Sequence, residues 1–184
     1  MILAVWFVLA NGWPPLFTVL SAAAVHELGH WLVLWSLGAA VTGFRLSALG
    51  AVLETDSGYL SYGRELAAVL AGPGANLLAA LALAALGGGE RFAAVGANVV
   101  LCAFNLLPIQ PLDGGRALYL LASWLAGPAA GEAVSRWAGT LTAAALAAGI
   151  GLVIWRTGGS LWLLPALCAS VWWGTRAWFA GAYF

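Results

Sequence analysis

The two histidines of this 184-residue chain stand four apart, in His26-Glu27-Leu28-Gly29-His30. On a helix that spacing puts both imidazoles on one face, where they can hold one Zn2+, with Glu27 close enough to act on a water the metal activates. The alternative is that the histidines hydrogen-bond a neighbouring helix. Ionisable groups at membrane depth are costly, however, and all the histidine and one carboxylate are spent in a single turn, which favours the metal reading. A catalytic zinc takes three protein ligands and keeps an open position, so one more is needed. Asp113 is the candidate. The other Asp, Asp56, belongs to the polar run Glu54-Thr55-Asp56-Ser57-Gly58, which reads as a solvated loop tip. Asp113 follows the end of an apolar segment, within Pro108-Ile109-Gln110-Pro111-Leu112-Asp113-Gly114-Gly115, and precedes two glycines that free its backbone. Its alternative role is to cap a helix starting near Arg116. Glu65, Glu90 and Glu132 lie at segment ends and read as interfacial.

The elements that must position these residues are set by composition. Hydrophobic residues make up 63% of the chain and charged ones 8%, with a mean hydropathy of +0.95. A soluble domain carries about a quarter charged residues, so lipid is the expected solvent for most of this surface. Zero net charge and the absence of Lys exclude a nucleic-acid binder, which needs a basic stripe. Cys102 and Cys168 lie in apolar runs and read as small hydrophobes.

A bilayer core of about 30 Å needs roughly 20 apolar residues in a helix. Leu16 to Gly38, Leu66 to Leu86, Trp137 to Trp155 and Leu161 to about Phe179 meet that length. Phe92 to Leu107 is shorter and is stopped by Pro108. Met1 to Ala10 is shorter still, ahead of the break Asn-Gly-Trp-Pro-Pro; it reads as a short span, an interfacial piece or a signal-peptide core. The expected fold is therefore an all-α polytopic membrane protein of about six segments. Val41 to Gly63 alternates apolar residues with Gly, Ser and Thr, which suits a small membrane-associated β-hairpin, or else a plain connecting loop. The loop Pro108 to Gly115 feeds a short apolar helix from Arg116 to about Ala126. With six spans and a cytoplasmic N-terminus, five of the seven Arg fall inside, in agreement with the positive-inside rule.

His26-Glu27-Leu28-Gly29-His30, together with the stretch from Asn105 through Pro108 and Asp113 to Arg116 (NLLPIQPLDGGR), resembles the paired signature of the site-2 protease family of intramembrane zinc metalloproteases. The order of the parts is most similar to the sporulation subgroup that processes a sigma-factor precursor. Ala71-Gly72-Pro73-Gly74-Ala75-Asn76 resembles that family's Gly-Pro-containing helix. The resemblance runs from about Pro14 to Trp124 and departs from the family pattern at Gln110, where many relatives have the second Pro of the motif. It implies one zinc per chain held by His26, His30 and Asp113, with Glu27 as the base and Asn105 and Pro108 contacting substrate; Asn105 could otherwise tie helices together.

The resemblance also implies a single intramembrane metalloprotease domain over residues 1–184, with a catalytic core of about 14–124, C-terminal helices over about 131–184, and neither PDZ nor CBS domain. The expected activity is hydrolysis of peptide bonds in membrane-embedded or membrane-associated proteins, in a multi-pass protein of the cell membrane, with the bilayer and a membrane protein substrate as partners. Two other classes compete: a catalytically silent relative that binds membrane helices, and a small metal transporter.

Overall fold

The computed structural model describes residues 13–39, 41–47, 50–55 and 60–157, with 168 and 171. It is mostly helical: α1 is Trp13–Ser36, α2 Tyr62–Ala85, α3 Phe92–Asn105, α4 Asp113–Ala126 and α5 Pro128–Arg156. Between α1 and α2, the strands Val41–Ser47 (β1) and Gly50–Thr55 (β2) pair antiparallel, Phe44 opposite Leu53, with a register shift between Val41 and Gly43. A 3-10 turn, Gly89–Arg91, leads into α3.

Helices α1, α2 and α5 are long and apolar enough to cross a membrane. Expectation and structure part at α3, whose 14 residues rise only about 21 Å. It stops at Asn105 rather than Leu107, because residues just ahead of Pro108 are pushed out of helical geometry. Among the described residues there are thus three candidate spans. The expected segments Met1 to Ala10 and, apart from 168 and 171, Leu161 to Phe179 lie outside the described residues, as do 48–49 and 56–59 of the Val41 to Gly63 stretch.

Helix ends also differ from expectation. Pro14 and Pro15 lie in the first turn of α1, where a missing N–H costs nothing, so a pair expected to break the chain starts a helix. Pro128 opens α5 in the same way, nine residues ahead of the expected start at Trp137. Helix α4 begins at Asp113, not near Arg116.

The chain forms two compact units, Met1–Asn105 and Leu106–Phe184. In the first, α2 packs against both α1 and α3, and α1 also meets α3. The buried stripe of α2 recurs every fourth residue at Ala68, Gly72, Asn76 and Ala80, which are small or polar. A Cβ on Gly29 of α1 would lie 2.5 Å from the Ala71 carbonyl oxygen and 2.7 Å from Ala75 Cβ, so this glycine lets the two backbones touch. Small residues at such crossings are how helices associate where lipid removes any hydrophobic gain. Large side chains point away: Trp13, Phe17, Leu28, Trp35, Leu78 and Leu81 are exposed, a surface suited to hydrocarbon rather than water. The Trp31 and Trp35 rings stack 6.0 Å apart on the outside of α1.

In the second unit α4 packs on α5, whose buried face is Gly131, Ser135, Gly139 and Ala143, again a small residue at every fourth position. A Cβ on Gly131 would overlap Ser123 Oγ, and one on Gly139 would come 3.4 Å from the Pro108 carbonyl oxygen.

Candidate metal centre

His26 lies near the middle of α1, about 20 Å along the axis from Trp13 and about 15 Å from Ser36 at 1.5 Å per residue. The i, i+4 spacing brings the two imidazoles together as expected of one helix face. Their ring centroids are 4.7 Å apart at an interplanar angle of 83°, and Nε2 of His26 is 3.1 Å from Nε2 of His30. Two nitrogens on one tetrahedral zinc stand about 3.3 Å apart, given Zn–N bonds of 2.0–2.1 Å.

The opposite ring nitrogens decide what these two can do. His30 Nδ1 is 2.8 Å from the carbonyl oxygen of Ala68. A carbonyl can only accept, so Nδ1 carries the proton and donates it. His26 Nδ1 is 2.7 Å from Oδ1 of Asn76, and Asn76 is turned with its oxygen towards His26, because its Nδ2 donates to Ala22 O at 2.9 Å and to Asn98 Oδ1 at 2.8 Å. His26 must therefore donate from Nδ1 as well. With both protons on Nδ1, each neutral ring turns a lone pair at Nε2 towards the other. Two ring nitrogens aimed at one place in this way are an arrangement that a metal cation can bind. A neutral imidazole held by an Nδ1–H bond and presenting Nε2 is the form that ligates zinc, so the donor set fits that metal.

Helix α2 is shaped around this pair. A Cβ on Gly72 would overlap the His30 ring, so only glycine leaves room for the imidazole there. Pro73 lies one position beyond and is fully buried; it removes the amide that would otherwise bond the Val69 carbonyl, next to the Ala68 carbonyl that holds His30. Asn76 has no exposed surface. A buried amide left unpaired costs about 1–3 kcal/mol, and here it bonds His26, Ala22 and Asn98.

Glu27 is half-buried on α1, one residue past His26. Asn105, the last residue of α3, turns its Nδ2 back to Leu101 O at 3.0 Å. In the second unit, Asp113 is half-buried and is the first residue of α4. The cap position of this helix belongs to Leu112, with no side-chain cap bond. The preceding loop folds tightly on its own helix: a Cβ on Gly114 would overlap the Leu106 carbonyl, and one on Gly115 would lie 2.5 Å from the Ile109 carbonyl carbon. Ser135 of α5 ties the turn, donating to Gly115 O at 3.1 Å and accepting from Gln110 Nε2 at 3.4 Å. Pro108 is half-buried in this loop, and the Gln110–Pro111 peptide is cis.

No protein-family model matches the chain. A Synechocystis sp. protein that carries the name putative zinc metalloprotease is 31% identical over 107 residues, covering 53% of this chain. The match spans 28% of that protein's own length. The likeness is to a zinc metalloprotease by name, and the His26–His30 pair of α1 is consistent with that metal.

Sequence reasoning passed over Asn76 and Asn98 as chemistry. Both stand mid-helix in apolar segments and both follow Gly-Ala; an Asn at such depth is itself the signal, since it must find a partner there.

Proposed function

We propose that this chain is an intramembrane zinc endopeptidase of the site-2 protease type, cleaving membrane-embedded or membrane-associated proteins. The observation that carries the reading is the His26–His30 pair: two imidazoles held by Nδ1, their Nε2 atoms converging 3.1 Å apart, near the middle of an apolar helix. The exposed Trp13 and Phe17 at one end of that helix and Trp31 and Trp35 at the other support a spanning α1 with aromatic belts at both interfaces. The site-2 type, and within it the likeness to the sporulation subgroup, rests on the paired sequence motifs, as does Asp113 as third ligand. The six-segment arrangement in the cell membrane, with β1 and β2 associated with its surface, belongs to the same proposal.

Zinc bound by His26, His30 and Asp113 would polarise the scissile carbonyl and acidify a water. Glu27 would take a proton from the attacking water as its oxygen bonds the carbonyl carbon, and would return it to the amine as the C–N bond breaks, acting first as base and then as acid. The Nδ1 bonds to Asn76 and Ala68 keep both rings in place during the reaction. A helical substrate hides its amides, so it must be unwound before attack. The edge of the β1–β2 pair offers a strand to pair with an extended segment, and Asn105 and Pro108 contact the substrate next to the bond cleaved.

The test is to purify wild type and Glu27→Gln, measure bound zinc, and assay both on a panel of single-pass membrane substrates. Equal zinc content with cleavage by wild type alone is expected. Equal cleavage by both would refute the role of Glu27; zinc without cleavage by either would favour a silent helix-binding relative, and zinc uptake into proteoliposomes a transporter.

A further inference from the structure

The buried amides of α2 and α3 form a directional chain that ends on His26. Asn98 Nδ2 donates to Ala94 O at 2.9 Å within α3, which turns its Oδ1 towards α2. That oxygen accepts from Asn76 Nδ2 at 2.8 Å, and Asn76 Oδ1 in turn accepts from His26 Nδ1 at 2.7 Å. Asn76 is 0% exposed, and His26 and Asn98 are each 5% exposed, so water does not compete for these groups.

An amide can be turned either way round. Were Asn76 reversed, its NH2 would face His26 Nδ1 and the ring would have to accept there, moving its proton to Nε2 and closing the atom that faces His30. Two acceptors oppose that reversal: Ala22 O, which is part of α1, and Asn98 Oδ1, which comes from α3 and is itself oriented by Ala94. Each link has one sense, and the sense is set by a backbone carbonyl at the far end.

We propose that Asn98 and Asn76 are positioning residues that lock His26 in the Nδ1–H tautomer, so that Nε2 is available to a divalent metal cation. The assignment deepens the zinc reading and rests on it for the identity of the cation. Asn98 bonds Asn76 and Ala94 and acts on His26 through Asn76, and α3 thereby helps build a metal site on α1. Outer partners of this kind typically change metal affinity 10–100-fold when lost.

The experiment uses the full chain with 15N-labelled histidine, whose two imidazoles give two side-chain patterns, together with zinc titration against a competing chelator. In wild type the proton of His26 is expected on Nδ1, with and without zinc. Asn98→Leu, close in size but lacking the amide, should mix the His26 tautomers and weaken zinc binding by about tenfold. Asn98→Asp, as the neutral acid, keeps one acceptor for Asn76 and one O–H for Ala94 and should restore both readouts. A proton on Nε2 of His26 in wild type would overturn the proposal without any variant. So would Asn98→Leu matching wild type on both readouts, or Asn98→Asp failing as badly as Asn98→Leu, which would deny that the acceptor at this position is what orients Asn76. Wild type that shows the Nδ1–H tautomer but takes up no zinc would uphold the amide chain and defeat the zinc reading.

Discussion

Gly72→Ala is the sharpest perturbation of the histidine pair because it adds one methyl group and no charge. The added Cβ would lie 2.6 Å from His30 Cε1 and 2.8 Å from His30 Cδ2. Carbon atoms rest about 3.5–4.0 Å apart, so the ring must retreat by roughly 1 Å, beyond the ~0.5 Å tolerance of a preorganised site. The ring can do this by rotating away from the Ala68 carbonyl oxygen that holds its Nδ1. Losing that hydrogen bond costs about 1 kcal/mol, and Gly→Ala in a helix interior returns about the same. Stability should therefore change by less than about 1 kcal/mol. Zinc affinity should fall by at least about 100-fold, because displacing a ligand costs more than disturbing its support. Gly74→Ala is the matched control: it lies two residues on in the same helix, and its Cβ would meet nothing within 4 Å. Zinc competition titration and thermal melts in detergent, run on both variants, read the two quantities separately. Wild-type zinc affinity in Gly72→Ala would refute the placement of His30 over Gly72. A loss of fold together with zinc would show that the ring cannot move independently of the helix.

Other substitutions test the neighbouring elements. Gly29→Ala meets the Ala71 carbonyl and Ala75 Cβ of α2 rather than a mobile ring, so it should destabilise the first unit by roughly 1–3 kcal/mol, read as a lower melting temperature; a neutral result would deny close backbone contact between α1 and α2. Asp113→Ala should lower zinc content per chain, and unchanged stoichiometry would reject Asp113 as a ligand. Removing zinc with a chelator should abolish cleavage reversibly and lower the melting temperature, since a ligand that binds only the folded state stabilises it; a melting temperature indifferent to zinc would count against a site within the fold.

The long apolar runs around α1, α2 and α5 were legible because 20-residue hydrophobicity is a coarse property that few mutations blur. Their ends were not. Counting apolar residues skips Tyr62-Gly63-Arg64-Glu65, which is the polar first turn of α2, and the stretch of α5 from Pro128 to Arg136, which holds Glu132 and Arg136. Pro14, Pro15 and Pro128 mislead in the other direction. Proline forbids a helix interior but suits a helix start, and only the chain on either side says which applies. For α3, the sequence marks Pro108 as a stop, and the helix ends shortly before it, at Asn105.

The site divides along a similar line. Convergence of His26 and His30 follows from local spacing, since one helix carries both. What gives the pair its chemistry is non-local: the acceptors that draw both protons to Nδ1 come from α2, at Ala68 and Asn76, and one is oriented from α3 by Asn98. Ala68 acts through a backbone carbonyl, which no residue type announces. Gly72 acts through the absence of a side chain, and its meaning appears only once the His30 ring is seen to occupy the space. Asn76 and Asn98 did carry a signal, because an amide in the interior of an apolar helix demands a partner whatever the fold. A histidine pair in such a chain therefore predicts not only its metal but also its acceptors, and the polar residues stranded in neighbouring apolar helices are the first places to look for them.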